Sequence, residues 1–101
     1  MSDMIMVRVY VMEAEKQLKP VLSYLHDEIK VRGVTVFRGI TGFGQSGEMH
    51  SSNLLDLSLN LPIAIEFFDT TERIDAIIQR LNTFVEPGHI TYWPIQTNLT
   101  S

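Results

Sequence analysis

No cysteine occurs in this chain. That rules out a disulfide framework, a thiolate metal site and a cysteine nucleophile. Basic residues are few and one-sided: all eight Lys and Arg lie at or before Arg80, and none falls between Gly39 and Thr71. The net charge of −4 argues against general nucleic-acid binding. The opening MSDMIMVRVYVM carries Asp3 and Arg8 and lacks a basic leader and small-residue cleavage site. It reads as neither a signal peptide nor a membrane span, so a cytoplasmic protein is expected. Proline is scarce, at positions 20, 62, 87 and 94, and each marks a boundary or an edge.

What is present is globular: 45% hydrophobic and 20% charged over 101 residues, the size of one domain, taken as 1–101. Met4 to Met12 alternates, with Ile5, Val7, Val9 and Val11 on one face of a strand. From Ala14 to Arg32 the pattern is helical, starting near Lys19 because of Pro20. Leu18, Val21, Leu22, Leu25 and Ile29 form its stripe, and Gly33 supplies the stop. Val34 to Ile40 is a second strand.

A loop follows with glycines at 42, 44 and 47, a composition that bends sharply and admits close approach of a ligand or partner. From Ser52 to Leu61, leucines at 55, 57, 59 and 61 favour a strand, with a helical turn at Leu54 and Leu55 as the alternative. Ile63 to Phe68 is a firmer strand entered through Pro62. Asp69-Thr70-Thr71-Glu72 resembles a capped helix start, with Asp69 as the cap. Ile74, Ile77, Ile78, Leu81 and Val85 make the second helical stripe, which Pro87-Gly88 ends. Ile90 to Gln96 is the last strand, confined to an edge by Pro94, and 97–101 is a frayed tail.

The order is β-α-β-β-α-β. Two helices with one apolar stripe each cover the same face of a four-stranded antiparallel sheet, the ferredoxin-like α+β arrangement. The other face then carries Met4, Met6, Tyr10, Met12, Ala64 and Phe68, a patch too large for a monomer, so self-association sheet against sheet is expected. By strand parity Arg8 and Glu66 share that face. Arg38 joins them if its strand registers that way.

Gly42-Phe43-Gly44, His50, Leu61-Pro62 and Ile65-Glu66 resemble the signature of the PII signalling proteins. The stretch Val36-Phe37-Arg38-Gly39-Ile40-Thr41-Gly42-Phe43-Gly44, followed by His50-Ser51 and Leu61-Pro62, is closer to the PII-like domain-of-unknown-function family 190. The likeness runs from about Val7 to Ile95. It implies a homotrimer with a small-molecule effector in clefts between subunits, and a T-loop over about 41–60 that holds a protein partner, with a membrane transporter as one class. One ligand-binding wall it implies falls at Gly42, Phe43, Gly44 and Gln45, to which Arg38 at the base of the loop and His50 are added as candidates. Gly88 and His89, beside Glu86 and Pro87, make the other. An adenine nucleotide is the implied effector. Since nothing after Arg80 is Lys or Arg, an uncharged or singly phosphorylated adenosine compound suits the charge pattern better than a triphosphate.

Competing chemistries are weaker. Gly42-x-Gly44-x-x-Gly47 formally matches a dinucleotide fingerprint but lacks the helix that must follow at once. Ser46, Ser51 and Ser52 lie near His50, yet a glycine loop holds no nucleophile against its base, and no catalytic role is expected. His26 is a solvated helix residue. Glu48 with His50, or His50 with His89 across a cleft, are the candidate metal ligands of the alternative reading, a trimeric divalent-metal protein of the CutA type. A trimeric scaffold with a docking loop is the third.

Overall fold

The computed structural model describes residues 3–12, 16–43, 50–51 and 61–99, the pair at 50–51 by its backbone. Strand β1, Asp3–Met12, buries Val7, Val9 and Val11 while Tyr10 is exposed and Arg8 half-buried, the period-two pattern its residues dictate. Helix α1, Leu18–Ser23, accepts Pro20 in its first turn, where an N–H has no intrahelical acceptor.

The chain then widens into a π-helical turn, Tyr24–Glu28, in which the Ile29 amide donates to the Tyr24 carbonyl at 2.9 Å. The expected stripe holds: Val21 and Leu25 are fully buried, and Leu18, Leu22 and Ile29 pack beside them. The stop does not fall at Gly33. Lys30 takes the left-handed position at φ 54°, and the Val31 amide closes onto the Leu25 carbonyl at 3.0 Å. These bonds satisfy the end carbonyls three residues early, at the cost of about 1 kcal/mol of backbone strain at a lysine.

Strand β2, Val34–Arg38, ends before Ile40. A two-residue strand β3, Thr41–Gly42, pairs with β4, His50–Ser51, a small hairpin that alternation could not announce. The expected strand over 52–61 lies outside the described residues but for Leu61, which is buried. Strand β5, Pro62–Thr70, buries Ile63, Ile65, Phe67 and Asp69 in alternation.

Helix α2, Thr71–Leu81, buries Ile74, Ile77 and Leu81 with Ile78 packed beside them. It stops at the Asn82 cap rather than at Pro87-Gly88, and Val85 joins the core from the turn that follows. The N-terminal cap of α2 is Thr70 rather than Asp69. Asp69 stays in β5 opposite Ile5, and from there its Oδ1 accepts the Thr70 amide at 2.7 Å while Oδ2 lies 3.4 Å from Arg73. Strand β6, Ile90–Gln96, closes the sheet in the order β2-β5-β1-β6. Pro94 therefore sits on an outer strand, as its missing N–H requires.

Both helices cover one face, and the core of Val7, Val9, Ile65, Phe67, Val21, Leu25, Ile77 and Leu81 lies between. Each such side chain contributes roughly 1.5–3 kcal/mol by leaving water. On the other face one expectation needs correction and one condition is not met. Met4 is already buried within the single chain, at 2% exposure, where it lies between Thr70 and Ile95. Arg38 pairs with Ile63, so it falls on the parity of the helix-covered face; Thr35 is the β2 residue opposite Glu66.

Candidate functional site

The chain leaves β2 at Arg38 and turns at once. The Gly39 amide donates to the Pro62 carbonyl at 2.7 Å. A Cβ at residue 39 would stand 2.8 Å from Pro62 Cγ, and one at residue 42 would stand 3.1 Å from it. The proline ring thus demands glycine at position 39 and leaves only a tight fit for a side chain at position 42, whatever binds nearby. Backbone pairing then sets Gly42 opposite His50 and Thr41 opposite Ser51, so the two arms of the loop meet at its base. Phe43 follows directly and is 68% exposed; Ile40, on the preceding turn, is 74% exposed. Gly44 and Gln45 lie outside the described residues.

The second group forms where α2 runs out. Gly88 is left-handed at φ 89°, and the His89 amide donates to the Glu86 carbonyl at 3.2 Å. The His89 carbonyl accepts the Tyr10 amide at 2.8 Å, which ties this turn to β1 just beyond the β6 ladder.

Both groups lie at the same end of the sheet: Arg38 is opposite Ile63, Ile63 opposite Val11, and His89 is bonded to Tyr10. They stand at opposite edges, however, because β2 and β6 are the outer strands. Three interstrand gaps of about 4.8 Å separate them by roughly 14 Å. So the structure brings Gly42, Phe43 and the His50 backbone together, with Arg38 at the start of the turn. Within one chain Gly88 and His89 stand apart from them.

The open face holds the principal charged contact. Arg8 donates from Nε and Nη2 to Glu66 Oε2 at 2.9 and 2.5 Å, and its guanidinium lies 5.4 Å from the centre of the Trp93 ring. Tyr10 first, then Glu66, push the Arg8 pKa up, so the positive charge of Arg8 is permanent. The roles of Pro62 and Trp93 escaped the sequence reading. A proline two glycines could rest on, and an aromatic of matching parity on the last strand, were the available signals. Among the described residues no group of three or more His, Asp or Glu is placed to hold a metal ion. No described helix is long and apolar enough to cross a membrane.

The profile of DUF190, described as "Uncharacterized ACR, COG1993", matches residues 4–97. Two UPF0166 proteins of Aquifex aeolicus are similar in sequence. One is 32% identical over 80 residues, covering 75% of this chain and 76% of the relative. The other is 34% identical over 88 residues, covering 87% and 90%. Among solved structures, CPII bound to ADP and bicarbonate from Thiomonas intermedia K12 aligns with a TM-score of 0.71 at 21% identity, over 96% of this chain and 90% of that one. CutA1 from Oryza sativa aligns at 0.67 with 15% identity, over 97% and 84%. The GlnK–ATP complex of B. subtilis aligns at 0.62 with 16% identity, over 94% and 84%. At these identities the structural likeness is one of fold.

Proposed function

The chain belongs to the PII-like DUF190 family, and from that premise we propose that it is a non-catalytic cytoplasmic regulator acting as a homotrimer. A small effector binds in the clefts between subunits, and the segment 41–60 carries the bound state to a partner protein. The observation that supports this most is the placement of the two candidate walls. Arg38, Gly42, Phe43 and His50 lie at one edge of the sheet, and Gly88 and His89 at the same end of the other edge. One chain cannot close a pocket from them. Adjacent chains in a ring present unlike edges to each other and can.

An adenine nucleotide is the proposed effector. Two proteins of the same fold hold one: CPII is bound to ADP and bicarbonate, and GlnK to ATP. The sequence here has no Lys or Arg from Gly39 to Thr71 or after Arg80, so few charges are on hand for a phosphate chain. Backbone amides near Gly42 and Gly88, with Arg38, suit one phosphate better than three. Gln45 and Gly44, expected on the same wall, complete the proposed ligand set. Partner binding falls to the loop, with a membrane transporter among the partner classes the PII resemblance implies.

Isothermal titration of the full chain with adenosine, AMP, ADP, ATP and cyclic AMP tests the effector, with AMP or an uncharged nucleoside expected to bind tightest. Flat titrations across the panel would remove the nucleotide. A stable monomer in light scattering at micromolar concentration would remove the clefts themselves.

A further inference from the structure

The open face of the sheet is ordered in rows across the strands. Phe37, Ala64 and Tyr10 make one apolar row, and Phe68, Met6 and Trp93 another. Between them runs a polar row contributed by all four strands: Thr35, Glu66, Arg8 and Thr91. Phe37 is 51% exposed, Tyr10 41% and Trp93 37%, and Met6, Ala64 and Phe68 are half-buried, so the single chain leaves the apolar rows partly in water. The ion pair between them is half covered, with Arg8 at 38% and Glu66 at 20% side-chain exposure.

Such a face selects its own cover. A purely apolar partner would bury the two charges without completing their hydrogen bonds, which costs more than the attraction between them returns. Both bonds from Arg8 end on Oε2, so Oε1 stays outside the pair. A guanidinium has five N–H donors; two are spent on Glu66 and Tyr10 engages the group as well, which still leaves donors over. A second copy of this chain brings a donor and an acceptor in the same row, flanked by the same two apolar rows. The fit is obtained with row over row; a slip by one row sets each charge against an aromatic or aliphatic neighbour.

We infer that the row Thr35, Glu66, Arg8 and Thr91 is the registration element by which further copies of this chain cover the open sheet face. Arg8 of each copy reaches Glu66 of the next. This rests on the self-association proposed above and adds what aligns it. The apolar rows drive the contact; the polar row restricts it to one arrangement.

The test is size-exclusion chromatography with light scattering on the full chain, with circular dichroism to verify folding. The unaltered protein is expected to run as one discrete assembly. Glu66→Gln and Arg8→Lys each remove part of the pair with little change of volume. Arg8→Met leaves Glu66 unpaired and is expected to weaken assembly on the order of 30-fold or more. The exchange Arg8→Glu with Glu66→Arg restores one discrete species. The apolar pair Arg8→Met with Glu66→Met still associates, but into a mixture of sizes. Unchanged assembly in folded Arg8→Met, or one native-sized species from the apolar pair, overturns the registration role while leaving the trimer standing. A monomeric unaltered protein overturns the trimer itself, and the two failures are separable.

Discussion

Gly39 and Pro62 are in direct contact twice over: the glycine amide donates to the proline carbonyl at 2.7 Å, and the ring leaves no room for a side chain on the glycine. The pair joins the end of β2 to the start of β5, across the gap from which the long loop departs. Pro62 lies opposite Met12, on the parity of the open face. The base of the loop and the proposed assembly face therefore share one ring.

Gly39→Ala should destabilise the chain by about 1–3 kcal/mol, the usual range for forcing a carbon into an occupied space. Chemical denaturation would measure it. Pro62→Ala removes the obstructing Cγ, so adding it to Gly39→Ala should recover part of that loss. Strict additivity of the two changes would mean the contact is not the cause.

Gly88 is constrained differently. A Cβ there meets nothing within 4 Å, but φ is 89°. Gly88→Ala should cost about 1–2 kcal/mol through backbone conformation alone, with an unchanged denaturant slope. Gly88→Asn should cost less, since asparagine tolerates left-handed geometry better. Equal losses for the two would contradict this reading.

Tyr24 should contribute to a loss of stability at alkaline pH. Burial raises its phenol pKa above the ordinary 10.0, partly opposed by Arg80, whose guanidinium lies 5.8 Å from the ring centre. A raised folded-state pKa means the folded chain holds its proton longer than the unfolded chain. This contribution is fully present below about pH 10 and is lost as pH rises through the folded-state value. Melting temperatures between pH 9 and 11 should fall, and Tyr24→Phe should flatten that fall. An identical slope in the variant would exclude Tyr24 as its origin.

Phe67 tests the core. It is 2% exposed, among the largest of the buried side chains, and pairs with Val7 on one side and Val34 on the other. Phe67→Ala should cost about 3–5 kcal/mol. Phe68→Ala, one residue along on the opposite face, should cost the isolated fold far less while weakening self-association. Comparable losses from the two would mean the face assignment is wrong.

Nucleotides and divalent metals separate the remaining readings. In scanning fluorimetry, AMP or adenosine should raise the melting temperature and Cu²⁺ or Zn²⁺ should not. Stabilisation by metal alone, abolished by His50→Ala, would favour a metal-binding trimer of the CutA kind.

Much of this architecture follows from the chain read locally. Alternation in β1 and β5 and the stripes of α1 and α2 are properties of adjacent residues, so the β-α-β-β-α-β order and the inner sides of β1 and β5 were legible, while the β3–β4 hairpin was not. Pro94 likewise announced an outer strand through its missing donor. The R-G-x-x-G segment was visible as a motif, but its reason was not: the ring that excludes a side chain at Gly39 and crowds one at Gly42 belongs to Pro62, twenty or more residues away.

The amino-acid order alone determined where the main strands and helices form and which way the apolar sides of β1 and β5 face, because those depend on periods of two and 3.6 within a segment. Only the tertiary structure decided how strands register. It put Arg38 opposite Ile63, moved Thr35 beside Glu66, and brought Trp93 within reach of Arg8. It also sent the two candidate walls to opposite edges of the sheet. The reason is that a shift of one residue between neighbouring strands exchanges the faces of every side chain, and nothing local to either strand records that choice.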